Sequence, residues 1–172
     1  MLPETPSQTA GPFLHIGMAP EDAGNATWPV QTAGAEIAPG AADRITVALQ
    51  LFDGTGTPVR DALIEVWQAE IRALARLTPA ADGAFALTTP RPTAESGQAP
   101  HLTLWIIARG INTGLHTRLY LPEDAPHPGD PVLSRIEQPA RRATLIAEAT
   151  GPGAYAHSIR LQGDRETVFL DV

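Results

Sequence analysis

Residues 45–67 read ITVALQLFDGTGTPVRDALIEVW, and this stretch carries the clearest structural pattern in the chain. Over residues 45–52, aliphatic side chains take every second position, which is the period of a half-buried β-strand. The run 53–58 is rich in Gly, Thr and Pro and predicts a turn. A second strand is predicted over residues 62–67, which are apolar on both faces around Glu65. The stretch therefore predicts two β-strands with a turn between them.

Similar patterns recur along the rest of the chain. Further short strands are predicted over residues 84–88, 102–108, 115–121, 157–161 and 167–170. The continuous apolar run at 102–108 is typical of a strand that is covered on both faces. Residues 157–161 and 167–170 flank the turn-like run 162–165, an arrangement that predicts a β-hairpin.

These short segments define the predicted fold class. Short helical turns are predicted over residues 131–136 and 141–147. The 17 prolines and 15 glycines break the chain into pieces that are too short for long helices. About seven short strands separated by turns indicate an all-β protein. We expect a β-sandwich of two mixed sheets with an extended N-terminal arm and short helical turns.

The N-terminal segment differs from the rest of the chain. Residues 1–43 contain six prolines and show no sustained period. The large apolar side chains of this segment include Phe13, Leu14, Ile16 and Trp28. An arm with such side chains is expected to pack on a protein surface, either that of its own chain or, as we expect here, that of a partner subunit, and a floppy terminus is the alternative. The predicted boundaries are therefore 1–43 for the arm and 44–172 for the sandwich.

Composition limits the possible partners and compartments. The 172 residues suffice for one domain with a core and are too few for two comfortable domains. The net charge of −7 argues against a nucleic-acid partner, because phosphate binding needs a positive field. No cysteine is present, so disulfides and thiolate metal sites are excluded. The sequence shows neither a secretion signal nor a membrane-spanning apolar run, so we expect no membrane association and a cytoplasmic location.

Few residues stand out as candidates for chemistry. His101 and His116 flank the apolar run at 102–108, but an unclustered pair of histidines is more often structural than metal-binding. Arg109 follows that run and precedes Gly110, and its planar guanidinium suits a carboxylate. A surface arginine at a strand end is the simpler interpretation of the same pattern. The residues alone thus indicate a β-sandwich without an evident active site of its own.

Five blocks of sequence, taken in order, resemble one known family. The blocks are TPSQTAGPF at 5–13, DALIEVWQA at 61–69, ARGIN and LHTRLY within 108–120, IEQPARR at 136–142, and IRLQG and ETVF within 159–169. This series resembles the intradiol ring-cleavage dioxygenases, and in particular the alpha chains of the protocatechuate 3,4-dioxygenase type. The resemblance spans nearly the whole chain, which makes it specific.

The resemblance implies an iron site in a different chain. In this family the beta subunit binds a non-haem ferric ion, Fe(III), through two tyrosinates and two histidines, and hard anionic oxygens favour that ion. The corresponding positions here fall on Ala75, His101 and Thr103, and the stretch 91–100 contains no tyrosine. The chain is also short over residues 71–100 relative to the family. The resemblance therefore implies that this chain binds no metal and that the beta subunit holds the Fe(III) cofactor.

The same resemblance implies that the chain contributes to the partner's substrate pocket. Gly11 and Pro12 would form a rigid backbone wall that orients the substrate. Arg109 would supply positive potential near the substrate carboxylate. No catalytic residue is expected in this chain alone. With the beta subunit in an alpha/beta hetero-oligomer, it is expected to convert protocatechuate and O2 into 3-carboxy-cis,cis-muconate.

Two other functions are compatible with the residues. One is a non-catalytic, transthyretin-like β-sandwich that acts as a binding module without an enzyme partner. The other is a homomeric dioxygenase with a metal site that the sequence does not reveal. It is disfavoured because Tyr120 and Tyr155 both lie outside the ligand regions. An adjacent beta-subunit gene, or a copurifying second chain of similar size, would separate the binding module from the enzyme subunit.

Overall fold

A computed structural model describes residues 9–11, 13–25, 34–95, 97–126 and 129–171 of the chain. The strands are β1 Arg44–Phe52, β2 Leu63–Gln68, β3 Ala73–Leu77, β4 Ala84–Pro90, β5 His101–Ile107, β6 Leu115–Tyr120, β7 Glu148–Gly151 and β8 Ala154–Arg160. The helices are α1 Phe13–Met18 and α2 Pro139–Ala143, and short 3-10 helices lie at Ala69–Ile71 and Leu133–Arg135. In these described ranges, no helix is long and apolar enough to span a membrane.

The strands form two four-stranded sheets. In the first sheet the order is β4-β1-β8-β7, where β1 runs parallel to β8 and the other pairs are antiparallel. In the second sheet the order is β3-β2-β5-β6, and every pair is antiparallel. Short connections join β2 to β3 and β5 to β6, and strands joined in this way return antiparallel. The predicted β-sandwich is therefore confirmed, but the prediction that both sheets are mixed is wrong for the second sheet.

The main core lies between the two sheets and is built by alternation along the strands. The buried side chains of β1 are Ile45, Val47, Leu49 and Leu51. They belong to one apolar cluster with side chains of the second sheet, which include Ile64, Val66, Leu104 and Ile106. Burying a side chain of this size stabilises the fold by about 1.5–3 kcal/mol relative to leaving it in water. This layer fixes which face of each strand points outward.

The strand β5 has two unlike faces. Leu102, Leu104 and Ile106 are buried, whereas the alternate residues from His101 to Ile107 are only half-buried. Residues 102–108 were predicted to be buried on both faces, but only the inner face is fully buried. The outer face of β5 remains partly open, and it carries His101 and Thr103.

The predicted hairpin near the end of the chain is wrong. β8 pairs with β7 and β1, and residues 167–170 form no strand beside it. Two hydrogen bonds join Arg160 and Thr167, from each backbone N–H to the other residue's oxygen, at 2.9 and 3.0 Å. Beyond them the chain crosses to the other sheet, where Leu170 forms a bridge with His116. The hairpin partner of β8 is β7, which precedes it in the chain, because a tight turn between the two strands pairs them directly.

The later part of the predicted arm lies on the sandwich of the same chain. Ile37 is buried in the main core. Gly34 forms a bridge with Arg76 of β3, and Glu36 forms one with Thr88 of β4. These contacts tie the segment before β1 to both sheets.

Arg76 also connects the earlier part of the arm to the second sheet. Its Nε and Nη2 donate to Oε1 of Glu65 at 2.8 and 2.5 Å, and its Nη1 donates to the carbonyl oxygen of Met18 at 3.0 Å. The end of α1 is therefore held against the outer face of that sheet. Packing of the arm on a partner subunit stays a prediction, and Trp28 lies outside the described residues.

A second, smaller core is organised around Asp130. Its apolar members are Ala99, Tyr120, Leu133 and Leu145. Asp130 is fully buried. It accepts hydrogen bonds from the backbone N–H groups of Ala99, Val132 and Leu133 at 2.8, 2.9 and 2.8 Å. The hydroxyl of Tyr120 donates to the same carboxylate at 3.2 Å. The side chain of Asp130 therefore stabilises the loop that follows β6.

These donors keep Asp130 ionised. Burial alone raises the pKa of its carboxyl, but the N–H donors of Leu133, Ala99 and Val132 outweigh burial, and the pKa is lowered from the usual value. The folded-state pKa therefore lies below the unfolded value of about 3.9. The stabilisation by Asp130 is present above the unfolded pKa and is lost as the pH falls through the folded pKa.

We expect Asp130→Ala to lower the free energy of unfolding by about 3 kcal/mol, because it leaves buried donors without their charged acceptor. The measurement is chemical denaturation at neutral pH, repeated at decreasing pH. The difference between wild type and variant should shrink once the pH falls below the unfolded pKa of about 3.9. Asp82→Ala is the control, because Asp82 is exposed and accepts a hydrogen bond from the backbone N–H of Ala84. If both variants lose the same free energy of unfolding, Asp130 does not organise the smaller core.

Candidate functional site

Arg109 and Asp61 meet at one end of the second sheet. β2 and β5 are antiparallel neighbours with Leu63 opposite Ile107, so the residues before β2 lie beside those after β5. Nη2 of Arg109 lies 2.7 Å from Oδ2 of Asp61. Gly110 follows with a φ of 87°, a left-handed conformation that favours glycine and turns the chain directly after Arg109.

The N-terminal arm reaches this ion pair and closes a cleft around it. The backbone N–H of Gly110 donates to Oγ1 of Thr9 at 2.6 Å. A cleft of about 400 Å³ is lined by Ala10, Gly11, Leu14, His15, Asp61 and Arg109. The structure therefore brings together Gly11 and Arg109, two residues that the sequence predicted as pocket residues. Pro12, the third, lies outside the described residues.

Some residues of this cleft were not predicted. Asp61 could have been found, because antiparallel pairing of the predicted strands 62–67 and 102–108 places it beside Arg109. No sequence pattern places Thr9 and His15 at the cleft. They belong to the arm, whose described residues pair with no strand near Arg109, so strand pairing could not have predicted their positions.

The ion pair in the cleft is exposed to solvent. The side chain of Arg109 is 77% exposed and that of Asp61 is 41% exposed. Exposed ion pairs contribute about 0–1 kcal/mol and are screened by salt. The guanidinium can therefore exchange Asp61 for another carboxylate at little cost. The cleft is suited to binding a carboxylated molecule at its positive end.

The positions that resemblance assigns to iron ligands do not share one face of the sheet. His101 and Thr103 lie on the outer, half-buried face of β5. Ala75 is 3% exposed, pairs with Val66 and belongs to the main core. It therefore faces away from the other two residues, and its assignment to a ligand position stays a prediction.

His101 is held as a neutral imidazole. Its Nδ1 lies 2.8 Å from the carbonyl oxygen of Ala99, and its ring lies 5.5 Å from that of Tyr120 between centroids. Burial lowers the pKa of His101 by disfavouring the charged ring, and the positive charge of Arg118 acts in the same direction. The ring is thus a packed, hydrogen-bonded part of the sheet.

Neither of the two tyrosines is placed to act as a phenolate ligand. The hydroxyl of Tyr120 donates to Asp130, and burial raises the pKa of Tyr120 to about 12. The hydroxyl of Tyr155 donates to Oε1 of Glu123 at 2.8 Å, and burial together with this hydrogen bond raises the pKa of Tyr155. Both hydroxyls are therefore engaged with carboxylates of this chain.

The residues around His101 do not fit a ferric ion. On the same outer face Thr103 pairs with Trp67 and with Arg118, which place an indole and a guanidinium beside it. The carboxylates that act on His101, those of Asp130 and Glu70, already accept hydrogen bonds from other groups of the fold. Fe(III) prefers hard anionic oxygen donors. Within the described ranges, no group of three or more His, Asp or Glu side chains is arranged to hold a metal.

The solved structures that resemble this chain define its fold. An intradiol ring-cleavage dioxygenase from Tetranychus urticae has a TM-score of 0.61 at 14% identity, covering 74% of this chain and 85% of that one. The dioxygenase domain of a carbohydrate-binding fusion from Streptomyces sp. SirexAA-E has a TM-score of 0.57 at 21% identity, with coverage of 82% and 92%. The sandwich described above is therefore the fold of the intradiol dioxygenases.

Two curated relatives narrow the family further. The protocatechuate 3,4-dioxygenase alpha chain of Pseudomonas putida is 42% identical, and that of Burkholderia cepacia is 32% identical; both matches cover 99% of this chain and 98% of the relative. The chain belongs to the family of protocatechuate 3,4-dioxygenase alpha chains, which are ring-cleaving oxidoreductases. The family that the sequence blocks predicted is thus confirmed. No protein-family model matches the chain.

We expect the chain purified alone to hold far less than one iron ion per molecule. The reason is that the hydroxyl of Tyr120, whose ring packs beside His101, is bound to Asp130, and among the described residues no group of three or more His, Asp or Glu side chains is arranged to hold a metal. Metal analysis and the visible spectrum test this, and no tyrosinate-to-iron band should appear. His101→Ala serves as the control and should leave any residual iron unchanged. Stoichiometric iron that disappears in this variant would contradict the expectation.

Proposed function

We propose that this chain is the iron-free alpha subunit of a protocatechuate 3,4-dioxygenase. With a beta subunit that holds Fe(III), it forms an enzyme that adds both atoms of O2 to protocatechuate and gives 3-carboxy-cis,cis-muconate. The proposal is supported by full-length identities of 42% and 32% to chains with that name. A stand-alone binding module is less well supported, because both relatives are named as chains of an enzyme.

The cleft at Arg109 is the observation that carries the proposal. Among the described residues that line it, it presents the guanidinium of Arg109 with its partner Asp61, the backbone at Gly11 and the imidazole of His15, and none of these could exchange electrons. Such a site can attract and orient a carboxylated catechol while the redox chemistry takes place elsewhere. This division matches a chain that lends binding groups to a partner's iron pocket.

Gly11 has a specific place in this arrangement. Apart from its two chain neighbours, no described residue lies within 4 Å of a Cβ added at Gly11. The described part of this chain therefore does not itself require glycine there. A requirement for glycine would arise from whatever approaches the open side of the cleft, and in the proposed enzyme that is the substrate and the beta subunit.

The exposed apolar residues support the presence of a partner. On α1, Phe13 is 80% exposed and Ile16 is 46% exposed. They are three positions apart, so they share one face of the helix. Trp67, Ile71 and Leu74 of the second sheet region are also exposed. Apolar side chains left in water in this way are typical of a surface that another protein covers.

We expect the chain produced without the beta subunit to self-associate, and the coexpressed pair to purify as one complex. The physical reason is the exposure of Phe13 and Ile16 on α1. Sedimentation of the single chain and of the pair over a range of concentrations tests this. Phe13→Ser with Ile16→Ser should reduce both self-association and binding of the beta subunit. A monodisperse monomer at high concentration that ignores the beta subunit would contradict the proposal.

We expect Arg109→Ala in the assembled complex to lower kcat/KM for protocatechuate roughly five- to thirtyfold, a loss of about 1–2 kcal/mol. The loss should be smaller for catechol, which lacks the carboxylate, and should shrink as salt rises. Arg109→Lys should recover part of the activity, although not any bidentate contact. Steady-state kinetics with both substrates is the measurement.

The matched control for this experiment is Arg135→Ala. Arg135 is exposed and lies beyond β6, next to the smaller core, and its removal takes away the same charge. It should leave both substrates unaffected. An equal loss for protocatechuate and catechol in Arg109→Ala would mean that Arg109 is structural. No loss would place Arg109 outside the pocket.

A further inference from the structure

The cleft contains an acidic residue whose place has a chemical consequence. Asp61 lies 2.7 Å from the guanidinium of Arg109, the group that in the proposed function receives the substrate carboxylate. The two carboxylates therefore compete for one fork of N–H donors. Because Asp61 pairs with Arg109 in the free cleft, it must affect how strongly any anion binds there.

The product of the proposed reaction makes this competition matter. Protocatechuate carries one carboxylate, and opening its ring between the two hydroxylated carbons with O2 creates two more. An isolated arginine would then attract the product more strongly than the substrate, because the product has the higher negative charge. A site built in that way would be slow to release what it makes.

We propose that Asp61 is a positioning residue that holds Arg109 at the cleft between turnovers and displaces the carboxylated product from it. The inference rests on the proposed function. Asp61 acts through Arg109 and need not touch the reacting atoms. When substrate binds, the guanidinium turns from Asp61 to the substrate carboxylate, and when the ring has opened it returns to Asp61.

The geometry suits such an exchange. Asp61 directly precedes Ala62, which is fully buried and leads into β2, so its backbone is fixed and its short side chain has little freedom. Arg109 has a long side chain that is 77% exposed. The arginine is therefore the partner that moves. An ion pair this exposed changes a binding equilibrium by about fivefold at most. Arg109 can therefore leave Asp61 when substrate binds and leave the product when it returns to Asp61.

The test is the assembled alpha/beta complex with Asp61→Asn. We expect the inhibition constant of 3-carboxy-cis,cis-muconate to fall about two- to fivefold, because the product no longer competes with a carboxylate. The KM for protocatechuate should fall by a smaller factor, and the KM for catechol should not change. All three effects should fade at high salt. Asp61→Glu should restore values close to those of the wild type.

The control variant is Glu36→Gln, which breaks an ion pair with Arg44 at 2.6 Å that is also partly exposed but lies at the start of β1, in the first sheet. It should alter none of these constants. The thermal midpoint of each complex, measured alongside, shows that the variants are folded and assembled.

A double-mutant cycle separates this inference from the proposed function. In the Arg109→Ala background, Asp61→Asn should have no effect on product inhibition, because the coupling runs through the guanidinium. If Arg109→Ala weakens substrate binding but Asp61→Asn leaves product inhibition unchanged or weaker, the inference about Asp61 is wrong and the proposed function stands. If Arg109→Ala itself leaves protocatechuate kinetics unchanged, the assigned place of Arg109 fails first.

Discussion

Burial of one face of β2 and β5 against β1 is the constraint on which the rest of the structure depends. The apolar layer fixes the inward positions, such as Val66 and Leu104, and so fixes the register of the two strands in the second sheet. Because these strands are antiparallel, that register places Asp61 beside Arg109. The open cleft is a direct result of how the core is packed.

The same packing determines what the outer face of the second sheet can do. His101 and Thr103 lie on that face, but the phenol nearest to His101 is committed to Asp130. The other phenol, that of Tyr155, is bound to Glu123. The side chains that could have served a metal are therefore part of the hydrogen-bonding of the fold. The chemistry that this chain retains is electrostatic, at the end of the sheet where Arg109 lies.

The sequence predicted most of the strands that bury one face, although it missed β3, where Ala75 and Leu77 are buried. It also failed where burial gives no pattern. β1, β2 and β5 alternate or run apolar and were found, whereas every residue of β7 is exposed and the strand left no signal. Arg109 was singled out from its position after an apolar run, the family resemblance added Gly11 and implied a pocket role for both, and the structure places both residues at one cleft. The ion pair with Asp61 was missed because strand pairing is a long-range property that composition and period do not contain. The resemblance identified the family. It did not predict that Ala75 faces the main core, because Ala75 lies where the chain is shorter than the family.

The most direct measurement is reconstitution of the enzyme from separately produced alpha and beta chains. Iron content and protocatechuate turnover are followed as the alpha chain is titrated into a fixed amount of beta chain. If the alpha chain supplies binding groups to an iron site in its partner, turnover should rise with added alpha chain and level off at one alpha per beta. Iron should fractionate with the beta chain throughout. Turnover by the alpha chain alone, or by the beta chain at a rate that added alpha chain does not change, would contradict this division of labour.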